Sequence, residues 1–292
     1  MKILVIGATG MLGHKMLQIL GHEFPNQVYG STSGPKAKIE KFNLVPAMNL
    51  LEFVNIENMQ QTLEQLDQLK PQVVVNCSGI TLRKIDQAQI EKNFHINSYF
   101  PRVLSLWCQN NQSRLIHFST DCVFDGQKGN YTEKDFPTAH DIYGRSKYLG
   151  EVEALRTLTL RVSIVGRELF GKTELLEWFL AQKNKTIQGY SEVYYSGLTT
   201  NFLAREVVRI LKEFPDLSGL YQISSERISK YDLLVLADQI FKNQTEITKE
   251  SGKHSDKSLN CDKYASVTKF KKPQWAPMLQ ALAQDPFLYE RV

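Results

Sequence analysis

The chain has 292 residues, of which 42% are hydrophobic and 23% are charged, with a formal net charge of +4. This length suffices for one large α/β domain or for a domain with a smaller partner. No segment approaches the roughly 20 apolar residues that cross a bilayer, and the small positive excess is spread along the chain. We therefore expect a cytoplasmic protein that binds neither a membrane nor nucleic acid.

Short apolar runs alternate with helical patterns through the first half of the chain. Helices are predicted at 11–20, at 59–69 and at about 90–108, and strands at 3–6, 27–30, 51–55, 73–75 and 115–118. Strands that are apolar on both faces and separated by helices indicate a parallel sheet covered on both sides. We predict an α/β fold with a doubly wound, Rossmann-like parallel sheet and a smaller C-terminal lobe.

The pattern becomes less regular after about residue 163. The sequence there predicts a helix near 173–182, a loop at 189–200, a helix at 202–212, a strand at 220–223, an amphipathic helix at 230–241 and an exposed loop at 243–258. We assign 1–163 to a nucleotide-binding domain to which 195–218 return. Residues 164–194 and 219–292 are expected to form the substrate-binding lobe.

Three glycines stand between the first predicted strand and the first predicted helix, spaced GxxGxxG. Glycine at this junction allows a tight turn and close approach to a pyrophosphate, while the helix N-terminus offers free N–H groups. The position of the triplet at the first strand–helix junction supports a nucleotide site more strongly than its spacing does. We predict that a dinucleotide contacts Gly7, Thr9, Gly10, Met11, Leu12 and Gly13.

The end of the second predicted strand bears on the choice of cofactor. An acidic residue there would bind the ribose 2′-hydroxyl and repel a 2′-phosphate, but residues 30–38 contain no carboxylate. This stretch offers instead the hydroxyls and amines of Ser31, Thr32, Ser33, Lys36 and Lys38. We predict NADP(H) in preference to NAD(H). A solvated turn with incidental lysines is the alternative.

Tyr143 and Lys147 lie four residues apart, on one face of a predicted helix. A tyrosine hydroxyl ordinarily titrates near pH 10, and a nearby ammonium favours the phenolate and lowers that pKa. Upstream, a predicted strand ends at Ser119, Thr120 and Asp121, and doubly wound sheets place their chemistry at such strand ends. These residues predict an acid–base site.

The glycine loop, the Ser-Thr pair and the YxxxK pair together resemble the extended short-chain dehydrogenase/reductase family. The runs 119–126, 131–133 and 143–151 are most similar to its dTDP-4-dehydrorhamnose reductase branch. The resemblance implies NADPH-dependent reduction of a keto group on a nucleotide-linked 4-keto-6-deoxy sugar, in polysaccharide biosynthesis, by a monomer or homodimer. It includes no metal site that these residues match.

The same resemblance implies roles for individual residues. Tyr143 would protonate the carbonyl oxygen, Lys147 would hold the nicotinamide ribose, and Thr120 would hydrogen-bond the carbonyl oxygen. Because strand neighbours face opposite sides, only one of Ser119 and Thr120 can dominate that contact. Further cofactor contacts would come from Cys77, Ser78, Gly79 and Asn97, and further substrate contacts from Ser119, Asp121, Val123 and Phe124.

Two other functions stay open. The regulatory subunit of methionine adenosyltransferase resembles the same family, so an NADP-binding regulatory protein is one alternative, and a nucleotide-sugar epimerase is another. We interpret Cys122 as a packed residue and not as an acid or base. Ile164 stands where the resemblance implies a tryptophan, so the identity of the sugar is open.

Overall fold

The computed structural model describes residues 1–52, 54–81, 90–287 and 289. The strands are β1 (Ile3–Ile6), β2 (Val28–Ser31), β3 (Leu50–Leu51), β4 (Val73–Asn76), β5 (Arg114–Ser119), β6 (Thr157–Arg161), β7 (Ile164–Val165), β8 (Thr186–Tyr190), β9 (Val193–Tyr195), β10 (Leu198–Thr199), β11 (Gly219–Gln222), β12 (Ile228–Ser229), β13 (Glu246–Glu250) and β14 (Ser255–Asp256). The helices are α1 (Met11–Glu23), α2 (Ala37–Glu40), α3 (Met59–Leu69), α4 (Ile90–Phe94), α5 (Phe100–Asn110), α6 (Ile142–Leu149), α7 (Leu175–Leu180), α8 (Thr200–Glu213), α9 (Lys230–Phe241), α10 (Asp262–Thr268) and α11 (Trp275–Ala283).

Seven strands form one sheet in the order β11-β6-β5-β4-β1-β2-β3. β1 lies between β2 and β4, and both pairings are parallel. The order runs outward from β1 in both directions, which is the arrangement of a doubly wound sheet. The predicted fold class is confirmed.

The core of this sheet follows from its strand sequences. All four residues of β1 and of β4 are buried, as expected for strands covered on both faces. On one side, Leu4, Ile6 and Val74 pack with Phe100 and Leu104 of α5. Each fully buried side chain of this size stabilises the fold by about 1.5–3 kcal/mol.

The chain divides into two compact units. Unit 1 comprises 1–119, 140–160 and 204–220, and unit 2 comprises 120–139, 161–203 and 221–292. The segment 120–139 therefore groups with unit 2, whereas the sequence assigned it to the nucleotide-binding domain.

Contacts within unit 2 explain this grouping. Tyr131 pairs with Leu259 in a parallel bridge, and the amide of Asp256 donates to the carbonyl of Gly126 at 2.7 Å. Sequence separations of more than 100 residues hide such pairings from a local pattern.

Three sequence predictions of local structure need correction. The strand expected at 51–55 is only Leu50–Leu51 among the described residues. The loops expected at 189–200 and 243–258 contain β9 and β10, and β13 and β14, respectively. β13 pairs in parallel with β8 over five residues, so each strand depends on a partner that is distant in the sequence. The side chains of both strands are mostly polar and exposed.

The helix expected at 90–108 is confirmed in outline, but it is not uniform. α4 and α5 are separated by a π-helical turn at His95–Tyr99. π-turns are rare and often occur at functional positions. Within the described part of the chain, no helix has both the length and the apolar character needed to cross a bilayer.

Candidate functional site

The first predicted site, the glycine turn, lies between β1 and α1. Gly7 has φ +78°, a conformation that residues with a Cβ rarely adopt. A Cβ at Gly13 would overlap the carbonyl oxygen of Gly7, so glycine lets the helix approach the strand closely. No side chain of the described residues caps α1 at Gly10, which Thr9 precedes and after which Met11 and Leu12 open the helix. The turn has the features of an anion-binding helix start.

The second predicted site is the segment after β2, and its predicted contact residues differ in their exposure to solvent. Ser31 and Thr32 are buried, and the Thr32 hydroxyl donates to the carbonyl of Gly34 at 2.6 Å. Ser33 and Lys38 are exposed, and Lys36 is half-buried at the start of α2.

A carboxylate also lies at this position. Glu52 Oε2 accepts a hydrogen bond from the backbone N–H of Lys36 at 3.1 Å. Glu52 follows β3, whose Leu51 is the register partner of Ser31 on β2. The sequence reasoning considered the residues after β2 alone. It missed Glu52 because the carboxylate comes from the neighbouring strand.

The turn after β4 contains Cys77, Ser78 and Gly79. The Asn76 side chain organises it, because Oδ1 of Asn76 accepts from the amide of Ser78 at 3.1 Å and from its hydroxyl at 2.6 Å. The amide of Cys77 donates to the carbonyl of Ile6. Burial raises the pKa of the Cys77 thiol, so this cysteine stays protonated.

Asn97 links this turn to α6. It lies in the π-helical turn at His95–Tyr99 and is fully buried. Its Oδ1 accepts from the amide of Ile80 at 2.9 Å, and its Nδ2 donates to the carbonyl of Ile80 at 3.0 Å and to the hydroxyl of Ser146 at 3.1 Å. Every polar atom of the Asn97 side chain is thus hydrogen-bonded.

α6 carries the predicted acid–base pair. Asp141 caps the helix by accepting from the amide of Gly144 at 2.8 Å. Tyr143 lies in the first helical turn and is half-buried, and Lys147 lies one turn later and is buried. The structure therefore places both residues on one helix with the i,i+4 spacing that brings side chains together.

The environment of Lys147 is specific. Its Nζ donates to the carbonyl oxygen of Phe118, at the end of β5, at 2.6 Å. A Cβ at Gly79 would lie 3.9 Å from this nitrogen. Burial lowers the pKa of Lys147 from 10.5 to about 8, while Glu151 and then Cys77 act in the opposite direction. Perturbed groups of this kind are typical of functional sites.

The Ser119 and Thr120 hydroxyls have different partners. In unit 1, Ser119 Oγ donates to Glu151 Oε1 at 2.6 Å. In unit 2, Thr120 Oγ1 donates to Asp121 Oδ1 and accepts from the amide of Cys122, both at 3.1 Å. The sequence reasoning gave Glu151 no role, and only its contact with Ser119 reveals one.

The remaining predicted substrate residues, Val123 and Phe124, are both fully buried in unit 2. The ring of Phe124 stacks on Tyr131 at 4.0 Å between centroids, and the guanidinium of Arg161 lies 5.2 Å from its centroid. Their side chains pack the interior of the unit.

Unit 2 also holds buried polar atoms that have no hydrogen-bond partner among the described residues. They include the hydroxyls of Tyr195 and Ser224 and both polar side-chain atoms of Gln222. Burial, with Asp121 adding to it, raises the pKa of Tyr195 well above 10. No motif in the sequence marked Gln222 or Ser224.

The four cysteines are free thiols. Cys108 and Cys261 are buried, and Cys77 and Cys122 are half-buried. Burial raises the pKa of Cys108 to about 12.

Comparison with known proteins gives the chain a family. Residues 1–290 match the family described as the RmlD substrate binding domain. The β subunit of methionine adenosyltransferase 2 from Danio rerio is 31% identical over 60% of this chain and 50% of its own length. The dTDP-4-dehydrorhamnose reductase of Aggregatibacter actinomycetemcomitans is 26% identical over 80% of this chain and 77% of its own length. The chain thus spans half of one relative and about three quarters of the other.

A solved structure supports the fold. The dTDP-4-dehydrorhamnose reductase of Bacillus anthracis, in complex with NADP, superposes with a TM-score of 0.77 at 18% identity and covers 96% of this chain and 98% of that one. Since the family match extends over nearly the whole sequence, the chain belongs to the RmlD substrate binding domain family, within the extended short-chain dehydrogenases/reductases.

Proposed function

We propose that this protein is an NADPH-dependent oxidoreductase that reduces a keto group on a nucleotide-linked 4-keto-6-deoxy sugar. One observation carries the proposal: Lys147 is buried, bound to the Phe118 carbonyl, and one helical turn from Tyr143. Family membership and the reductase name of one relative support the same chemistry. The proposal includes a cytoplasmic location, a role in polysaccharide biosynthesis and a monomeric or homodimeric state.

The residues of unit 1 fit a nicotinamide dinucleotide. The close approach of Gly13 to Gly7 and the uncapped start of α1 suit a pyrophosphate. Asn97 and Ser78 fix the turn that would face the nicotinamide half. Bound NADPH would supply the hydride.

The protein's own part is proton transfer. Tyr143 would donate its hydroxyl proton to the carbonyl oxygen of the substrate as that oxygen gains negative charge. The Lys147 ammonium would favour the phenolate that remains, by Coulombic attraction. Its hydrogen bond to the Phe118 carbonyl fixes the position of the ammonium and removes the conformational freedom of a long side chain.

Thr120 would provide a second contact to the carbonyl oxygen. To do so its hydroxyl proton must turn away from Asp121, while the acceptor bond from the amide of Cys122 keeps the oxygen in place. The Ser119 hydroxyl is bound to Glu151, which favours Thr120 for this role.

The proposed preference for NADPH rests on the exposed Ser33 and Lys38 and on Lys36. Glu52 acts against it, because a carboxylate repels a 2′-phosphate. Calorimetric titration with NADPH and with NADH tests whether the lysines or Glu52 dominate, and we expect NADPH to bind more tightly. An NADH preference of about tenfold, or about 1.4 kcal/mol, would reverse the conclusion.

A regulatory protein is the second candidate, favoured by the similarity to the β subunit of methionine adenosyltransferase 2. Such a protein would bind NADP(H) without turning over a sugar substrate. The deciding experiment follows NADPH oxidation with a panel of 4-keto-6-deoxy sugar nucleotides, with the cofactor alone as control. Turnover supports the reductase. Tight NADPH binding with no turnover across the panel supports the regulatory protein.

A further inference from the structure

Asn76 and His117 are buried side by side at the carboxyl ends of β4 and β5. They are register partners on adjacent parallel strands, with exposed fractions of 1% and 0%. Nδ2 of Asn76 lies 3.2 Å from Nδ1 of His117. Buried polar groups are costly unless their hydrogen bonds are made, so the direction of this bond matters.

The third partner, Ser78, determines that direction. The backbone amide of Ser78 can only donate, and it points at Oδ1 of Asn76, which also accepts from the Ser78 hydroxyl. The amide group of Asn76 is therefore oriented with its oxygen toward Ser78 and its nitrogen toward His117. Since that nitrogen can only donate, Nδ1 of His117 must accept. A neutral imidazole that accepts at Nδ1 carries its proton at Nε2, which is buried and has no hydrogen-bond partner among the described residues. The opposite tautomer would leave Nε2 unpaired as well and would also set two N–H groups against each other, so the Nε2–H form is the favoured one.

A charged imidazole would not fit this arrangement. Protonation of Nδ1 would set an N–H of His117 against an N–H of Asn76. Burial, and then the ammonium of Lys147, hold the pKa of His117 well below its usual value. Both effects keep the ring neutral.

The hydrogen bond between Asn76 and His117 also affects the glycine turn, because Ser78 stands against Gly7. A Cβ at Gly7 would lie 2.9 Å from the backbone nitrogen of Ser78, so the two turns are in close contact. The position of Ser78 depends on Asn76, and the orientation of Asn76 depends on the acceptor that His117 presents. A side chain inside β5 thus controls the turn that stands against the first glycine.

We infer that His117 is a positioning residue: as the neutral Nε2–H tautomer it orients Asn76, which holds residues 77–79 in the conformation that binds a nicotinamide dinucleotide. The identity of that ligand rests on the proposed function. The hydrogen-bond chain itself does not.

The first test uses the free protein and needs no ligand. Long-range ¹H–¹⁵N NMR of the histidine rings distinguishes a protonated ring nitrogen from an unprotonated one. We expect Nδ1 of His117 to be unprotonated in the wild type. In Asn76→Asp both oxygens are acceptors, so the proton of His117 should move to Nδ1. A wild-type ring protonated at Nδ1, or a tautomer that Asn76→Asp leaves unchanged, overturns the inference.

The second test measures NADPH affinity by fluorescence titration. His117→Leu removes the acceptor at similar volume, and we expect the Kd to rise about fivefold to tenfold, the effect of one lost hydrogen bond. His117→Gln restores an acceptor and should stay within about twofold of the wild type. Ser105→Ala is the matched control, because it removes a buried hydrogen bond, to Thr157 at 2.7 Å, that has no link to either turn.

The outcomes distinguish a failure of the positioning role of His117 from a failure of the proposed function. Wild-type affinity in His117→Leu contradicts the positioning role. If the wild type binds neither NADPH nor NADH, the proposed function fails, while the NMR result still decides the tautomer and the hydrogen-bond chain. If His117→Leu does not fold, His117→Gln and the switch in Asn76→Asp decide the inference.

Discussion

Two groups of polar side chains, one around α6 and one at the end of β11, are both buried but differently bonded. The α6 network consists of Asn97, Ser146 and Lys147, each of which has a hydrogen-bond partner. The β11 group consists of Gln222 and Ser224, whose side-chain polar atoms have no partner within the described ranges. Asn97, Ser146, Gln222 and Ser224 are all 0% exposed.

The difference in hydrogen bonding means that the two groups contribute differently to the free energy of folding. A buried polar group that is fully bonded contributes about 0.5–1.5 kcal/mol per hydrogen bond, whereas an unpaired one costs about 1–3 kcal/mol. The α6 network is therefore held in one arrangement by hydrogen bonds within the chain, which suits groups that must be in place before a reaction. The β11 group receives no such stabilisation.

The largest expected effect concerns Tyr143, the proton donor that we propose, which lies on α6 with the network. Tyr143→Phe removes the hydroxyl and keeps the ring, so kcat should fall by about 10²–10⁴-fold. NADPH affinity should change little. Steady-state kinetics with a keto-sugar nucleotide and a fluorescence titration measure the two quantities. Turnover at the wild-type rate would show that Tyr143 is not the acid.

The next effect is the pH dependence that Lys147 imposes. Its pKa is lowered to about 8 in the folded chain, against 10.5 unfolded, so the charged form is penalised below pH 8 and the penalty disappears between pH 8 and 10.5. The wild type should therefore gain up to about 3 kcal/mol relative to Lys147→Met across that interval.

Urea unfolding of both proteins at several pH values measures this gain. Catalysis should change in the opposite sense, because loss of the ammonium above about pH 8 removes the charge that stabilises the phenolate. A stability difference that is constant from pH 7 to pH 10.5 would contradict the lowered pKa.

A pair of substitutions, one in each group, tests the difference between the α6 network and the β11 group. Asn97→Leu leaves the amide and carbonyl of Ile80 without their partner, and we expect a loss of about 2–4 kcal/mol in the free energy of unfolding. Gln222→Leu is matched in burial but removes atoms that are already unpaired, so the free energy of unfolding should not fall and should rise by about 1 kcal/mol or more. Equal losses in the two variants would mean that Gln222 is hydrogen-bonded in solution.

The smallest effect is on cofactor choice. Glu52→Gln removes the charge beside the amide of Lys36 while keeping an acceptor for it. Because Glu52 is exposed and screened, the ratio of NADH to NADPH dissociation constants should rise only about two- to threefold. Glu57→Gln, which removes an exposed carboxylate paired with Lys92, is the control. An unchanged ratio would remove Glu52 from the account of specificity.

Local sequence patterns predicted positions in the fold that the structure confirms. The glycine turn was predicted from three residues at a strand–helix junction, and Tyr143 and Lys147 from a spacing of one helical turn. Local patterns were wrong about the loops at 189–200 and 243–258, because the strands there are held by parallel partners far away in the chain. The strand β13 is mostly polar and exposed and carries no apolar alternation, whereas β9 and β10 are buried but only three and two residues long.

The sequence by itself determined the doubly wound fold and the placement of Tyr143 and Lys147 on one helix, since apolar periodicity and helical spacing act over a few residues. Tertiary structure decided what each side chain bonds to. It placed Glu52 beside Lys36 by pairing β3 with β2, turned the Ser119 hydroxyl to Glu151, and set His117 against Asn76. These contacts depend on strand register and on burial, which join residues that the linear sequence keeps apart.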